Sequence, residues 1–285
     1  MEERITITMD SGFDVPEEMI KQYHIKVIPV SVHMGNRELQ DGEITPEEMV
    51  DYFYNHMKQI ITTSPPSIED YYGFFTRQMH MGYTVIHLSM SSIMSYAYEN
   101  AILGAETFRK VHVIDTRSVA VGAVPFIRKI AELQEQGMKA EQIAESLKEF
   151  YKKVHLSCLL NTIDFLHAGG KVRPVGKFLV LFFGMKPSAV LDPDDYFVPD
   201  KKFKGEYETA AMKYIQHTLG RLSNVRRDCV YFSYTSGCDD RFLEKCENGI
   251  RETGADFEHI EKVKAGCAIT SHFGNNCILL CWVNK

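Results

Sequence analysis

The sequence predicts an α/β protein: a parallel sheet flanked by helices in the first half and a mixed sheet with helices in the second. Three observations carry this reading. Short runs rich in β-branched residues alternate with amphipathic stretches through the first half, and strands separated by helices pair in parallel. Later, hairpin-type turns stand beside longer crossovers, which calls for a mixed sheet. A 285-residue chain that is 45% hydrophobic and 25% charged has an ordinary globular composition and the length for one large domain or two modest ones.

Taken in order, Ile5 to Met9 is the first strand. Pro16-Glu17-Glu18 opens a helix with proline and acids in its first turn. Lys26 to His33 is the second strand, and Thr45-Pro46-Glu47-Glu48 starts the next helix with an N-cap and a proline. A further helix follows Ser67 and carries Tyr71, Phe74 and Phe75. The strand Val85-Ile86-His87-Leu88 then hands over to a helix from Ser92 to Phe108. The strand Val111 to Ile114 follows, and two helices reach Val154.

In the second half Ala168-Gly169-Gly170 breaks a short helix and an apolar stretch follows. Met185 to Val190 and Tyr196 to Lys202 form a strand pair around Asp192-Pro193-Asp194-Asp195. A helix runs from about Glu206 to Leu222. Cys229 to Tyr234 is a strand, Asp239 to Thr253 a helix, and Phe257 to Val263 and Cys277 to Val283 are strands. The change of rhythm places the domain boundary near residue 158, giving an N-terminal unit 1–158 and a C-terminal unit 159–285.

Bulk properties exclude several classes. A formal net charge of −6 lacks the basic footprint of a nucleic-acid binder. The opening MEERITITMD has no apolar leader core, and the longest apolar run, Phe178 to Phe183, is too short for a membrane span. The seven cysteines are an odd count, with no CxxC pair. They read as free thiols of a cytoplasmic protein.

The densest polar signal lies where a strand becomes a helix. Ser89, Ser91, Ser92 and Ser95 fall within seven positions. In a sheet of this type ligands sit at the carboxyl ends of strands, and a helix N-terminus with hydroxyls beside it suits an anion. One serine needs no explanation beyond capping; four at one junction favour a site. Met9-Asp10-Ser11-Gly12 and Asp115-Thr116-Arg117-Ser118 occupy similar strand exits, and there turn formation is the simpler reading. The segment Ile61-Thr62-Thr63-Ser64-Pro65-Pro66-Ser67 is stiffened by two prolines, and serves equally as a rigid connector or as a ligand-facing loop.

Taken together these segments resemble the DegV family of bacterial fatty-acid-binding proteins, over residues 4–284. The resemblance rests on Asp10-Ser11, Ile28-Pro29-Val30, Asp41-Gly42, Thr63-Ser64-Pro65-Pro66-Ser67, Ser91-Ser92-Ile93-Met94-Ser95 and Val113-Ile114-Asp115-Thr116, then Gly169-Gly170-Lys171, Lys186-Pro187 and Ser271-His272-Phe273-Gly274. It implies a two-domain fold with a long-chain fatty acid such as palmitate buried between the domains. It also implies carboxylate binding by Thr63, Ser95 and His272. Ser64, Ser92, Lys171, Lys204 and Gly274 are the secondary ligand-binding candidates. Apolar Phe178, Leu181, Phe182 and Met185 are candidates to line the acyl chain, although a segment hydrophobic on every face is more often simply buried. The implied partner is a separate fatty acid kinase, with no cofactor, no metal and no chemistry by the binding protein itself. Where the family usually has Gly-Thr after the last serine, this chain has Tyr96-Ala97. Lys171 and Lys204 replace usual arginines, and Asn275-Asn276 replaces Pro-Gly.

Rival readings draw on the same residues. A serine hydrolase would use Ser95 and His272 with Asp10 or Asp115, though no GxSxG elbow is present. The stretch Gly170 to Lys177 imitates a phosphate loop but is one residue too long, and Phe178 stands where a hydroxyl belongs. No HExxH occurs and the 11 histidines are scattered, which argues against metal catalysis.

Overall fold

The strand ITITMD (β1, Ile5–Asp10) is buried at its last five positions, and TVIHLS (β6, Thr84–Ser89) at all six. Strands buried on both faces belong inside a parallel sheet covered by helices. In the computed structural model, which describes residues 3–57, 59–169, 184–192 and 196–285, these two strands form its centre. The order is β2-β1-β6-β7, with β2 at Lys26–Ile28 and β7 at Val111–Asp115, and every pairing is parallel. Six helices accompany this half: α1 (Glu17–Gln22), α2 (Pro46–Asn55), α3 (Ile68–His80), α4 (Ala97–Ala105), α5 (Val124–Glu135) and α6 (Ala140–Leu147). Thr45 and Ser67 close capping boxes on α2 and α3.

The single strand expected over Lys26 to His33 is two strands in two sheets. Pro29 has no N–H to offer a ladder, and the chain leaves the parallel sheet there. Ser31–Met34 (β3) pairs antiparallel with Arg37–Gln40 (β4) and Ile61–Ser64 (β5) in a sheet ordered β4-β3-β5. Thus Thr63 and Ser64 lie on a strand rather than in a connector. The helix expected from Ser92 begins only at Ala97, so Ser91, Ser92 and Ser95 lie in a loop and not in the first helical turn.

The second half builds a six-stranded sheet ordered β10-β9-β8-β13-β11-β12. Its strands are β8 (Val154–Leu159), β9 (Met185–Leu191), β10 (Phe197–Lys204), β11 (Cys229–Tyr234), β12 (His259–Lys264) and β13 (Ile278–Val283). Only β11 and β12 pair in parallel; the other four pairings are antiparallel. Residue 158 falls inside β8, a strand that lies wholly in this second sheet. Among the described residues the helices here are α7 (Asp164–Gly169), α8 (Tyr207–Leu219), α9 (Asp240–Arg251) and α10 (Cys267–Phe273). The last of these escapes periodicity because six of its seven residues are buried.

One apolar core spans both sheets. It joins Ile7 and Leu88 of the parallel sheet, Phe126 and Ile130 of α5, and Leu156 and Leu279 of the six-stranded sheet. Asp14, just after β1, ties the halves with polar bonds. Its carboxylate accepts from Ser233 Oγ of β11 at 2.9 Å and from the Gly266 N–H preceding α10 at 3.0 Å. Burial pushes the Asp14 carboxyl up from 3.8 to about 7, and the nearby Asp41 adds to the rise. The folded protein therefore holds a proton that the unfolded chain releases, so this group's contribution to stability declines as pH rises from about 4 to about 7. Asp14→Asn, which cannot ionise, is expected to flatten the decline in urea midpoint between pH 5 and pH 8. Equal declines in wild type and variant would show that Asp14 does not titrate across this interval.

Candidate functional site

The exit of β6 is set by a buried carboxylate. Asp10, at the end of β1, is fully buried. It accepts hydrogen bonds from the Tyr71 hydroxyl, from Ser89 Oγ at 3.0 Å and from the Met90 N–H at 2.9 Å. His87 Nε2 stands 3.3 Å away, and His87 Nδ1 pairs with Thr8 Oγ1 at 2.9 Å. Burial alone would raise the Asp10 carboxyl. The neighbouring His87 imidazole, with the hydrogen bonds from Tyr71 and Met90, outweighs it and holds the group below its usual range. The serine loop thus leaves β6 from a fixed start.

Within that loop Ser91 accepts at its carbonyl from the Met94 and Ser95 N–H groups. Ser95 Oγ accepts from the Ala97 N–H at 3.2 Å. Ser92 is turned away: its hydroxyl and N–H both bind Asp115, which also holds Arg117. A hydroxyl that accepts from a backbone N–H keeps its own proton for another partner, so Ser95 can donate.

What Ser95 faces is a cavity of about 320 Å³ between the two halves, at the lower end of the range for small-molecule sites. Gly12, Met90, Met94 and Val119 line it from the first half. Cys158, Leu160, Leu166, Phe197, Ile269 and Phe273 line it from the second. Its polar lining includes Thr63, Ser64, Ser95, Tyr196 and His272. Thr63 Oγ1 and His272 Nε2 are 3.1 Å apart across 209 positions of sequence. Ser64 Oγ is 2.8 Å from His33 Nε2. The arrangement offers an anion several uncharged donors at one side of an apolar chamber.

Thr63, Ser64, Ser95 and His272 are among the candidates the sequence singles out; Tyr196 is not. Other candidates lie elsewhere. Met185 pairs with Lys204 in the β9–β10 ladder, and neither is among the described residues that line the cavity. Gly274 ends α10 at φ 74°, where a Cβ would approach the Phe165 ring at 2.8 Å; its requirement is conformational. Lys171, Phe178, Leu181 and Phe182 lie outside the described residues. Thr63 Oγ1 and His272 Nε2 lie within hydrogen-bond distance of each other, while Asp10 bonds Ser89 and Asp115 bonds Ser92.

Sequence reasoning missed the apolar wall and His33. The wall is drawn from β8, α7, β10 and α10 and from the turns after β1, β6, β7 and β8, so no single segment displays its periodicity. Met90 and Met94 carried a signal that could have found them, because they alternate with the serines and thioether chains fill irregular apolar space. Gly12 sits against Met90: a Cβ there would stand 2.0 Å from Met90 Sδ. Gly12→Ala is expected to push the Met90 side chain into the chamber and to reduce uptake of a fluorescent apolar probe severalfold. Unchanged uptake would show that Met90 has room to retreat.

Comparison with known proteins bears on the same geometry. A family model described as an uncharacterised protein of the DegV family matches residues 4–285. A protein of Thermotoga maritima named fatty acid-binding protein is 28% identical over 211 residues, covering 71% of this chain and 72% of that one. The structure of a DegV family protein from Thermus thermophilus, described as binding fatty acid, superposes with a TM-score of 0.88 at 23% identity, covering 99% of this chain and 100% of that one. The Streptococcus pneumoniae fatty acid kinase B3 protein, loaded with linoleic acid, superposes with a TM-score of 0.83 at 15% identity, covering 99% and 100%.

Proposed function

The chain belongs to the DegV family, and from that premise we propose that it binds a long-chain fatty acid in the cavity between its two halves. The observation that carries the reading is the joining of an apolar chamber to the hydroxyls of Thr63 and Ser95 and the imidazole of His272. Relatives named for fatty acid binding support it.

The chemistry suits an acyl chain. Burying each CH₂ contributes about 0.8 kcal/mol, so a palmitate tail contributes on the order of 10 kcal/mol before the losses of association are subtracted. Burying the carboxylate without partners would cancel much of that gain. Hydroxyl donors make charge-assisted bonds to it without adding a fixed positive charge that would trap it. A head group held in this way can be handed on. We propose that the recipient is a separate fatty acid kinase, a role suggested by the name of the pneumococcal relative, and that this chain performs no chemistry itself.

No helix among the described residues is long and apolar enough to cross a membrane. The seven cysteines are free thiols, six of them buried, which fits the reducing cytoplasm we propose as its location.

Native mass spectrometry of unextracted protein from a bacterial host is expected to show the chain mass plus that of a fatty acid. Thr63→Ala and Ser95→Ala are each expected to weaken palmitate binding by about 1–3 kcal/mol, the scale of a charged group left short of a partner. A bare polypeptide mass together with no uptake of added palmitate would contradict the reading.

A further inference from the structure

We propose that His33 is a positioning residue for the ligand's head group, acting through Ser64; the inference rests on the fatty-acid reading above. His33 sits on β3, the middle strand of the small three-stranded sheet. The register sets Ser31 opposite Ser64 and Val32 opposite Thr63. His33, two residues beyond Ser31, therefore shares a sheet face with Ser64 as its diagonal neighbour. Its Nε2 lies 2.8 Å from Ser64 Oγ, and Ser64 lines the cavity.

A serine hydroxyl carries one proton and two lone pairs. If Ser64 donates to His33, the oxygen turns only lone pairs toward the cavity and repels a carboxylate. If His33 donates through Nε2–H, the Ser64 proton is released to donate into the cavity. An arriving carboxylate accepts only, so it selects the second arrangement, and His33 supplies the donor that makes it possible. The same logic governs the neighbouring pair, Thr63 Oγ1 and His272 Nε2 at 3.1 Å. Adjacent residues of β5 thus each meet an imidazole, and one histidine comes from β3 while the other comes from α10. Ser64 needs the partner because its hydroxyl would otherwise be free to rotate away from the ligand. A glutamine at position 33 can still donate an N–H; a valine cannot.

The test is palmitate affinity in wild type, His33→Val, His33→Gln, Ser64→Ala and the double variant His33→Val/Ser64→Ala, with melting temperatures as the check on folding. His33→Val is expected to weaken binding about fivefold, the scale of one hydrogen bond, and His33→Gln to stay close to wild type. In the Ser64→Ala background His33→Val should add nothing, because the residue acts through the hydroxyl already removed. If His33→Val does not melt cooperatively, His33→Phe, which keeps a planar ring without a donor, takes its place. Wild-type affinity in His33→Val or in Ser64→Ala, or equal losses from His33→Val with and without Ser64, would overturn the proposal. Failure of the wild-type protein to bind palmitate would instead remove the fatty-acid reading, and this proposal with it.

Discussion

Asp10 is the point on which the site depends. A fully buried carboxylate persists only where hydrogen bonds replace its lost water, and Asp10 receives them from Tyr71 of α3, Ser89 of β6 and the Met90 backbone. These bonds tie the ends of two parallel strands and one helix to a single side chain. Because Met90 begins the serine loop, its held N–H determines where Ser95 can reach and where the Met90 thioether enters the cavity wall. Asp14, four residues later, does the same work toward the other half through Ser233 and Gly266. Two carboxylates at one strand exit therefore fix both sides of the chamber, while neither lines it among the described residues.

The division of labour follows from electrostatics. Fixed charges are spent on architecture, where they are paired or hydrogen-bonded. The described polar lining is Thr63, Ser64, Ser95, Tyr196 and His272, hydroxyls with one imidazole beside them. A carboxylate arriving there forms charge-assisted bonds without forming a salt bridge to a lysine or arginine of the described lining. In the fatty-acid reading proposed above, the apolar tail supplies most of the binding and the head group supplies orientation. That balance suits a carrier whose cargo must be passed to another protein.

Much of this was legible in the sequence, because strand exits in parallel sheets gather polar residues that the rest of the strand cannot tolerate. Ile5 to Met9, Val85 to Leu88 and Val111 to Ile114 were recognisable by β-branched runs, and Thr63, Ser64, Ser95 and His272 by hydroxyl-rich loops and family resemblance. Pro29 was misread: a proline inside an apolar run marked the change of sheet between Ile28 and Ser31, not the middle of one strand. The helix Cys267–Phe273 was invisible because burial on nearly all sides leaves no period to read. His33 carried no signal at all, since its importance comes from a cross-strand register that no local pattern records. The cavity wall was hidden for the same reason, being assembled from segments far apart in the chain.

The most direct measurement of the central claim is a crystal structure of the protein grown with a long-chain fatty acid. The account predicts continuous density for the acyl chain against Met90, Met94, Leu160 and Phe273, with its carboxylate in hydrogen-bond contact with Thr63 Oγ1 and Ser95 Oγ. A chain bound elsewhere on the protein, with this chamber closed by its own side chains, would contradict it.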